Sequence, residues 1–176
     1  QQLGKMDSAK ENYDKAIEQD PNNWSAHNNL GYFHLKQGNQ KTAEEIFKAN
    51  IQRAPNNPWV YHSMGDFYQQ AGDYDKAIDY FDSSLEADST YAVAYYNLGQ
   101  IYEEREDDLF FDYYLKAAEL NNRDAKRWVK KNKKLIDEYK NQSKTAPAVD
   151  YIEELKKLAE LKSLGIITEE EFDAKK

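Results

Sequence analysis

Between Pro58 and Tyr91 apolar residues fall at helical spacing twice, from Met64 to Tyr68 and from Ala77 to Phe81, with Gly72 between the runs. Apolar positions three and four apart share one face of a helix. The pattern therefore predicts two amphipathic helices, each with a buried stripe, joined by a turn that glycine frees. It also recurs every 34 residues. Gly65 has counterparts at Gly31 and Gly99, Ala77 at Ala43 and Ala9, Gly72 at Gly38 and Gly4, Phe81 at Phe47 and Tyr13, and Pro55 at Pro21. A fixed period of this length predicts a stack of helical hairpins in which each unit buries its faces only against its neighbours. Gly65 and Ala77 are expected to be small because the two helix backbones approach closely there.

Taken in order, Trp24 to Asn57 and Pro58 to Tyr91 are full units. Ala92 to Asn122 is a further one that departs from the pattern. Tyr114 and Ala117 fall one residue short of register, Phe110 takes the place of the small alanine, and the turn from Glu103 to Asp108 lacks its glycine. Ahead of them, Asp7 to Gln19 reads as the second helix of a unit with Gly4 in its turn, so a first helix is expected upstream of Gln1. Asp124 to Asn141 reads as one more helix, with Trp128, Leu135, Ile136 and Tyr139 near one face to cover the end of the stack. Its other face carries Lys126, Arg127, Lys130, Lys131, Lys133 and Lys134. The plain reading of that face is a solvated surface; the sharper one is contact with anionic lipid, nucleic acid or an acidic partner.

Asn29-Leu30-Gly31, Gly38, Ala43, Phe47 and Pro55, together with Asn97-Leu98-Gly99 and Tyr102, resemble the tetratricopeptide repeat in its Leu-Gly, Tyr, Gly, Ala, aromatic and Pro positions. The resemblance implies an all-α fold. Its form would be a right-handed solenoid of about three full repeats with a partial N-terminal repeat and a capping helix, over residues 1–141. It also implies a concave surface lined by the first helix of each repeat. Projecting the sequence onto that surface gives Asn28, Tyr32 and Lys36, then Trp59, His62, Asp66 and Gln69, then Tyr96, Gln100 and Glu103. Aromatics among amides and acids suit an extended peptide or a partner helix. Relatives that grip acidic C-terminal tails need a clamp of cations, whereas His62, Ser63, Val93 and Tyr96 stand at those places here. Binding of such tails is therefore not expected.

Residues 142–149 turn abruptly small and polar, with Pro147, and read as a linker. In residues 150–176, Asp150 and Glu153 form a capping box, followed by a stripe of Tyr151, Ile152, Leu155, Leu158 and Leu161. Gly165 stops that helix, and Thr168 with Glu171 opens a short one containing Phe172. Leu155, Leu158, Leu161, Gly165, Ile166, Thr168, Glu170, Glu171 and Phe172 resemble the SHOCT domain, a short C-terminal domain of many bacterial proteins. The resemblance implies a bacterial or phage origin and a role in oligomerisation. Size argues the same way, since a unit this small lacks the apolar area to stand alone. Ile152, Leu155, Leu158, Leu161, Ile166 and Phe172 must pack on the solenoid or on another copy.

Composition narrows the chemistry. With 40% hydrophobic and 32% charged residues in 176, and a mean hydropathy of −1.01, the chain suits a thin solenoid better than one large core. No cysteine is present, which excludes disulfides and thiolate metal sites. No apolar run approaches the roughly 18 residues of a membrane span. A net charge of −8 disfavours general nucleic-acid binding. His27 and His34 sit at packing positions, and His62 has no second ligand or nucleophile near it in the repeat. Glu44-Glu45, Asp107-Asp108 and Glu169-Glu170-Glu171 read as solvated faces and caps. The expectation is a non-enzymatic adaptor with no cofactor and no metal, a protein or peptide partner, and copies joined through the tail. Its rival is a structural subunit whose groove is filled by its own or a neighbouring chain's tail.

Overall fold

The computed structural model describes residues 2–143 together with Leu158, Leu161, Lys162 and Thr168. Among these residues the regular structure is all helical: α1 (Gln2–Gln19), α2 (Trp24–Lys36), α3 (Gln40–Arg53), α4 (Pro58–Ala71), α5 (Tyr74–Ala87), α6 (Ala92–Glu104), α7 (Leu109–Glu119), α8 (Arg123–Lys131) and α9 (Lys133–Ser143). The chain divides into two compact units, Gln1–Asn132 and Lys133–Lys176. In the first, α2 packs on α3, α4 on α5 and α6 on α7, and each hairpin leans on the next. This is a helical solenoid, as the period requires.

The turns inside the three hairpins are built alike, and the alikeness runs deeper than residue identity. Gly38 at φ 76 and Gly72 at φ 78 take the left-handed conformation that closes a helix end. Glu106, 34 residues beyond Gly72, takes the same conformation at φ 55. In each turn this residue's N–H bonds to the carbonyl three back, and the next N–H bonds to the carbonyl five back: Leu35 and His34, Gln69 and Tyr68, Glu103 and Tyr102, all at 3.0 or 3.1 Å. The glycine missing from the third turn has thus been replaced without changing the turn. Gly4 behaves differently. It was expected in a turn, but α1 runs unbroken through it from Gln2.

Within the first two hairpins another pair of contacts keeps the 34-residue register. Asn50 Nδ2 donates to the Trp24 carbonyl, and Ser84 Oγ donates to the Pro58 carbonyl, each at 2.9 Å. Both side chains are fully buried, and each satisfies a carbonyl in the first turn of the preceding helix. His27 Nε2 meets the Pro21 carbonyl at 3.0 Å and Tyr61 Oη donates to the Pro55 carbonyl at 2.9 Å, again 34 residues apart. His27 therefore does a tyrosine's packing work.

The small residues of the period have a partner other than the one expected. A Cβ added at Gly31 would lie 2.5 Å from the Phe47 ring, one at Gly65 2.6 Å from Phe81, and one at Gly99 2.7 Å from Tyr114. The glycine makes room for the large ring of the second helix. At these glycines the nearest neighbour is the ring of the second helix. Tyr114 fills this place although it falls one residue short of the period in sequence.

At the end of the first unit the single helix expected over residues 124–141 is instead two, α8 and α9, broken at Asn132. Both the Asn132 backbone N–H and its side-chain amide donate to the Trp128 carbonyl at 3.0 Å, so Asn132 caps the end of α8. Trp128 belongs to α8, where it lies against Tyr114 at 4.4 Å, Phe110 at 5.8 Å and Phe111 at 6.0 Å between ring centroids. Phe110, standing where the earlier units have a fully buried alanine, becomes part of the platform for α8. Leu135, Ile136 and Tyr139 lie on α9. Of the tail, Leu158 is buried and Leu161 half-buried, both helical. Ile152, Leu155, Ile166 and Phe172 lie outside the described residues, as do most of the residues that carry the SHOCT resemblance.

Candidate functional site

The first helices α2, α4 and α6 stand side by side, and their side chains meet in a repeating pattern. Asn28, His62 and Tyr96 occupy one position of the period; Tyr32, Asp66 and Gln100 occupy the position one turn on. Contacts cross between helices along these rows. The Tyr32 hydroxyl of α2 lies within hydrogen-bonding reach of Ser63 and Asp66 on α4, and burial together with the Asp66 charge raises its pKa far above the ordinary value. Ser63 Oγ donates to the Trp59 carbonyl at 2.9 Å, which leaves its oxygen free to accept. His62 Nε2 lies 3.3 Å from Asn97 Nδ2 on α6.

His62 sits in an aromatic enclosure. Its ring is 5.5 Å from Phe81, 5.5 Å from Tyr91 and 6.5 Å from Trp59, and Trp59 is 5.4 Å from Tyr91. Burial lowers the imidazole pKa, and the Asp66 carboxylate opposes this only partly. The histidine is thus a packing group with one polar edge. Trp59 caps the enclosure and is still 50% exposed. Its counterparts in the neighbouring repeats are Ser25 and Val93, so the aromatic surface belongs to α4 alone.

Two polar atoms here lack partners. Asn28, 9% exposed, has an unbonded Oδ1, and Tyr91, 8% exposed, has an unbonded hydroxyl. Tyr91 was not among the residues expected at the surface. Its signal in the sequence is positional: it stands where Asn23 and Asn57 cap the earlier first helices, and it makes no side-chain cap.

The remaining expected residues are spread along the same helices. Lys36 is exposed at the end of α2, and Gln69 and Gln100 are half-buried. Asp66 accepts from Gln70 Nε2 at 3.1 Å. The Tyr96 ring lies 5.5 Å from Tyr114. Glu103 is already engaged: its carboxylate accepts from Tyr114 Oη at 2.5 Å and from Trp128 Nε1 at 3.4 Å. It anchors α8 and forms the end of the row. Among the described residues no group of three or more His, Cys, Asp or Glu side chains could hold a metal ion, and no helix is long and apolar enough to cross a membrane.

Solved structures with the same fold include a crystal structure of MamA, 26% identical, which covers 68% of this chain and 71% of its own with a TM-score of 0.55. A second crystal structure of MamA protein covers 84% of this chain and 90% of its own at 23% identity and a TM-score of 0.56. MamA from residue 41 to its end, from Desulfovibrio magneticus RS-1, covers 68% of each chain at 23% identity and a TM-score of 0.55. No curated protein matches the chain. Residues 12–45 match one family model of the tetratricopeptide repeat and residues 56–119 match another, together more than half of the sequence. With the period, the paired helices and the ring-against-glycine packing in agreement, the chain belongs to the tetratricopeptide repeat proteins.

Proposed function

We propose that this protein is a non-enzymatic scaffold that holds a segment of a partner protein on the wall formed by α2, α4 and α6, centred on Trp59. The repeats and their solved neighbours support a protein–protein interaction scaffold. The observation that carries the finer reading is Trp59, a large apolar side chain left half exposed over His62 and Tyr91. Exposed tryptophan over a rigid apolar floor is a frequent anchor for a partner. Asn28, Tyr32, Lys36, His62, Asp66, Gln69, Tyr96 and Gln100 supply the polar surroundings, and Glu103 closes one end. A random peptide library displayed on phage and selected on the full chain tests this. Selected peptides are expected to bind Trp59→Ala at least about tenfold more weakly, since losing a central aromatic anchor costs about 2 kcal/mol or more. Equal binding to both proteins rejects the reading.

The C-terminal helical pair, through Ile152, Leu155, Leu158, Leu161, Ile166 and Phe172, joins copies of the chain or docks it into a larger assembly. The buried Leu158 and half-buried Leu161 fit an apolar stripe with a packing partner. Light scattering of the whole chain beside one ending at Lys144 checks it. A larger assembly for the whole chain is expected, and monomers in both samples remove the oligomerisation.

A further inference from the structure

One feature of the α2, α4 and α6 wall has no internal explanation, an uncompensated acidic balance. Of charged side chains other than histidine, α2 carries Lys36, α4 carries Asp66, and α6 carries Glu103 and Glu104. Asp66 is half-buried and takes hydrogen bonds from neutral groups, with no cation of a described residue within ion-pair distance. A partly buried carboxylate without a counter-charge is costly, and a cation brought in by a ligand relieves that cost.

Trp59 gives an aromatic face on which an apolar side chain or the stem of an arginine can lie. Acid and aromatic face stand on one helix, seven residues or about two turns apart.

We infer that the segment held on this wall is an extended peptide bearing a lysine or arginine that pairs with Asp66, next to an apolar residue that covers Trp59. The inference rests on the binding surface proposed above and adds the charge of its occupant. It is opposite in sign to an acidic tail.

The phage selection on the full chain also tests this step. Selected sequences are expected to be enriched in Lys and Arg. A synthetic copy of the strongest should weaken about tenfold when its cation is replaced by glutamine, and by a similar factor on Asp66→Asn, with no further loss when both changes are combined. Circular dichroism melting confirms that Asp66→Asn is folded; should it not be, the peptide series on the unaltered protein still decides. Enrichment of acidic or uncharged peptides overturns the inference, as does binding indifferent to the peptide's cation. If Trp59→Ala weakens binding while the charge changes do not, the surface stands and its cationic occupant falls. If no peptide distinguishes the unaltered protein from Trp59→Ala, both fall.

Discussion

Glu106 shows how strongly the turn geometry governs the residue within it. Its φ of 55 is the conformation glycine supplies at 38 and 72, and a side chain there costs about 1–2 kcal/mol. Glu106→Gly should stabilise the protein by about 0.5–1 kcal/mol after the entropy that glycine adds to the unfolded chain, read as a higher midpoint in urea. Glycines in the first helices respond oppositely. Gly65→Ala places a methyl 2.6 Å from the fully buried Phe81 ring, and overpacking of this kind costs about 1–3 kcal/mol. Combining it with Phe81→Leu should cost less than the two separate losses, by about 1 kcal/mol in the same denaturation measurement. His62 carries a pH dependence. Burial holds its folded-state pKa below 6.5, so the unfolded chain takes up the proton first as pH falls. Stability is full above pH 6.5 and declines below it toward the folded value, and His62→Gln should flatten that part of the profile. The period made the glycines and Phe81 legible in the sequence; that the two touch each other was not, because spacing along a chain does not say which atoms fill a gap.

Helix boundaries follow hydrogen bonds that composition conceals. The three hairpins were readable because apolar stripes and turn residues agree. The break at Asn132 was not. Lysines flank it on both sides, and the amide that stops α8 is one among many polar residues. The docking of α8 could be foreseen only in part: Trp128 was an expected packing residue, whereas Glu103 looked like a free groove acid and proves to accept from both Trp128 and Tyr114. Trp128→Ala should loosen α8, destabilising the first unit by about 2–4 kcal/mol and raising hydrogen exchange in residues 123–131 above that in α4 and α5. If exchange rises evenly along the first unit, Trp128 does not hold α8 in particular.

For the molecule as a whole, the repeat both builds the scaffold and exposes its departures. Residues common to all units, such as Gly31, Gly65 and Gly99, are spent on packing; Trp59, His62, Asp66 and Tyr91 are not shared between units and gather around one helix. That contrast made α4 readable as the centre of the surface. Tyr91 escaped notice because it lies at the seam between repeats, where sequence projection assigns a residue to neither wall. On the proposed reading a partner segment lies along α2, α4 and α6. The most direct test is amide and indole chemical-shift mapping of the isotopically labelled full chain as a selected peptide is added. Perturbations are expected to concentrate at Asn28, Tyr32, Trp59, His62, Asp66, Tyr91 and Gln100. Shifts concentrated on α3, α5 and α7, with the Trp59 indole unmoved, would contradict it.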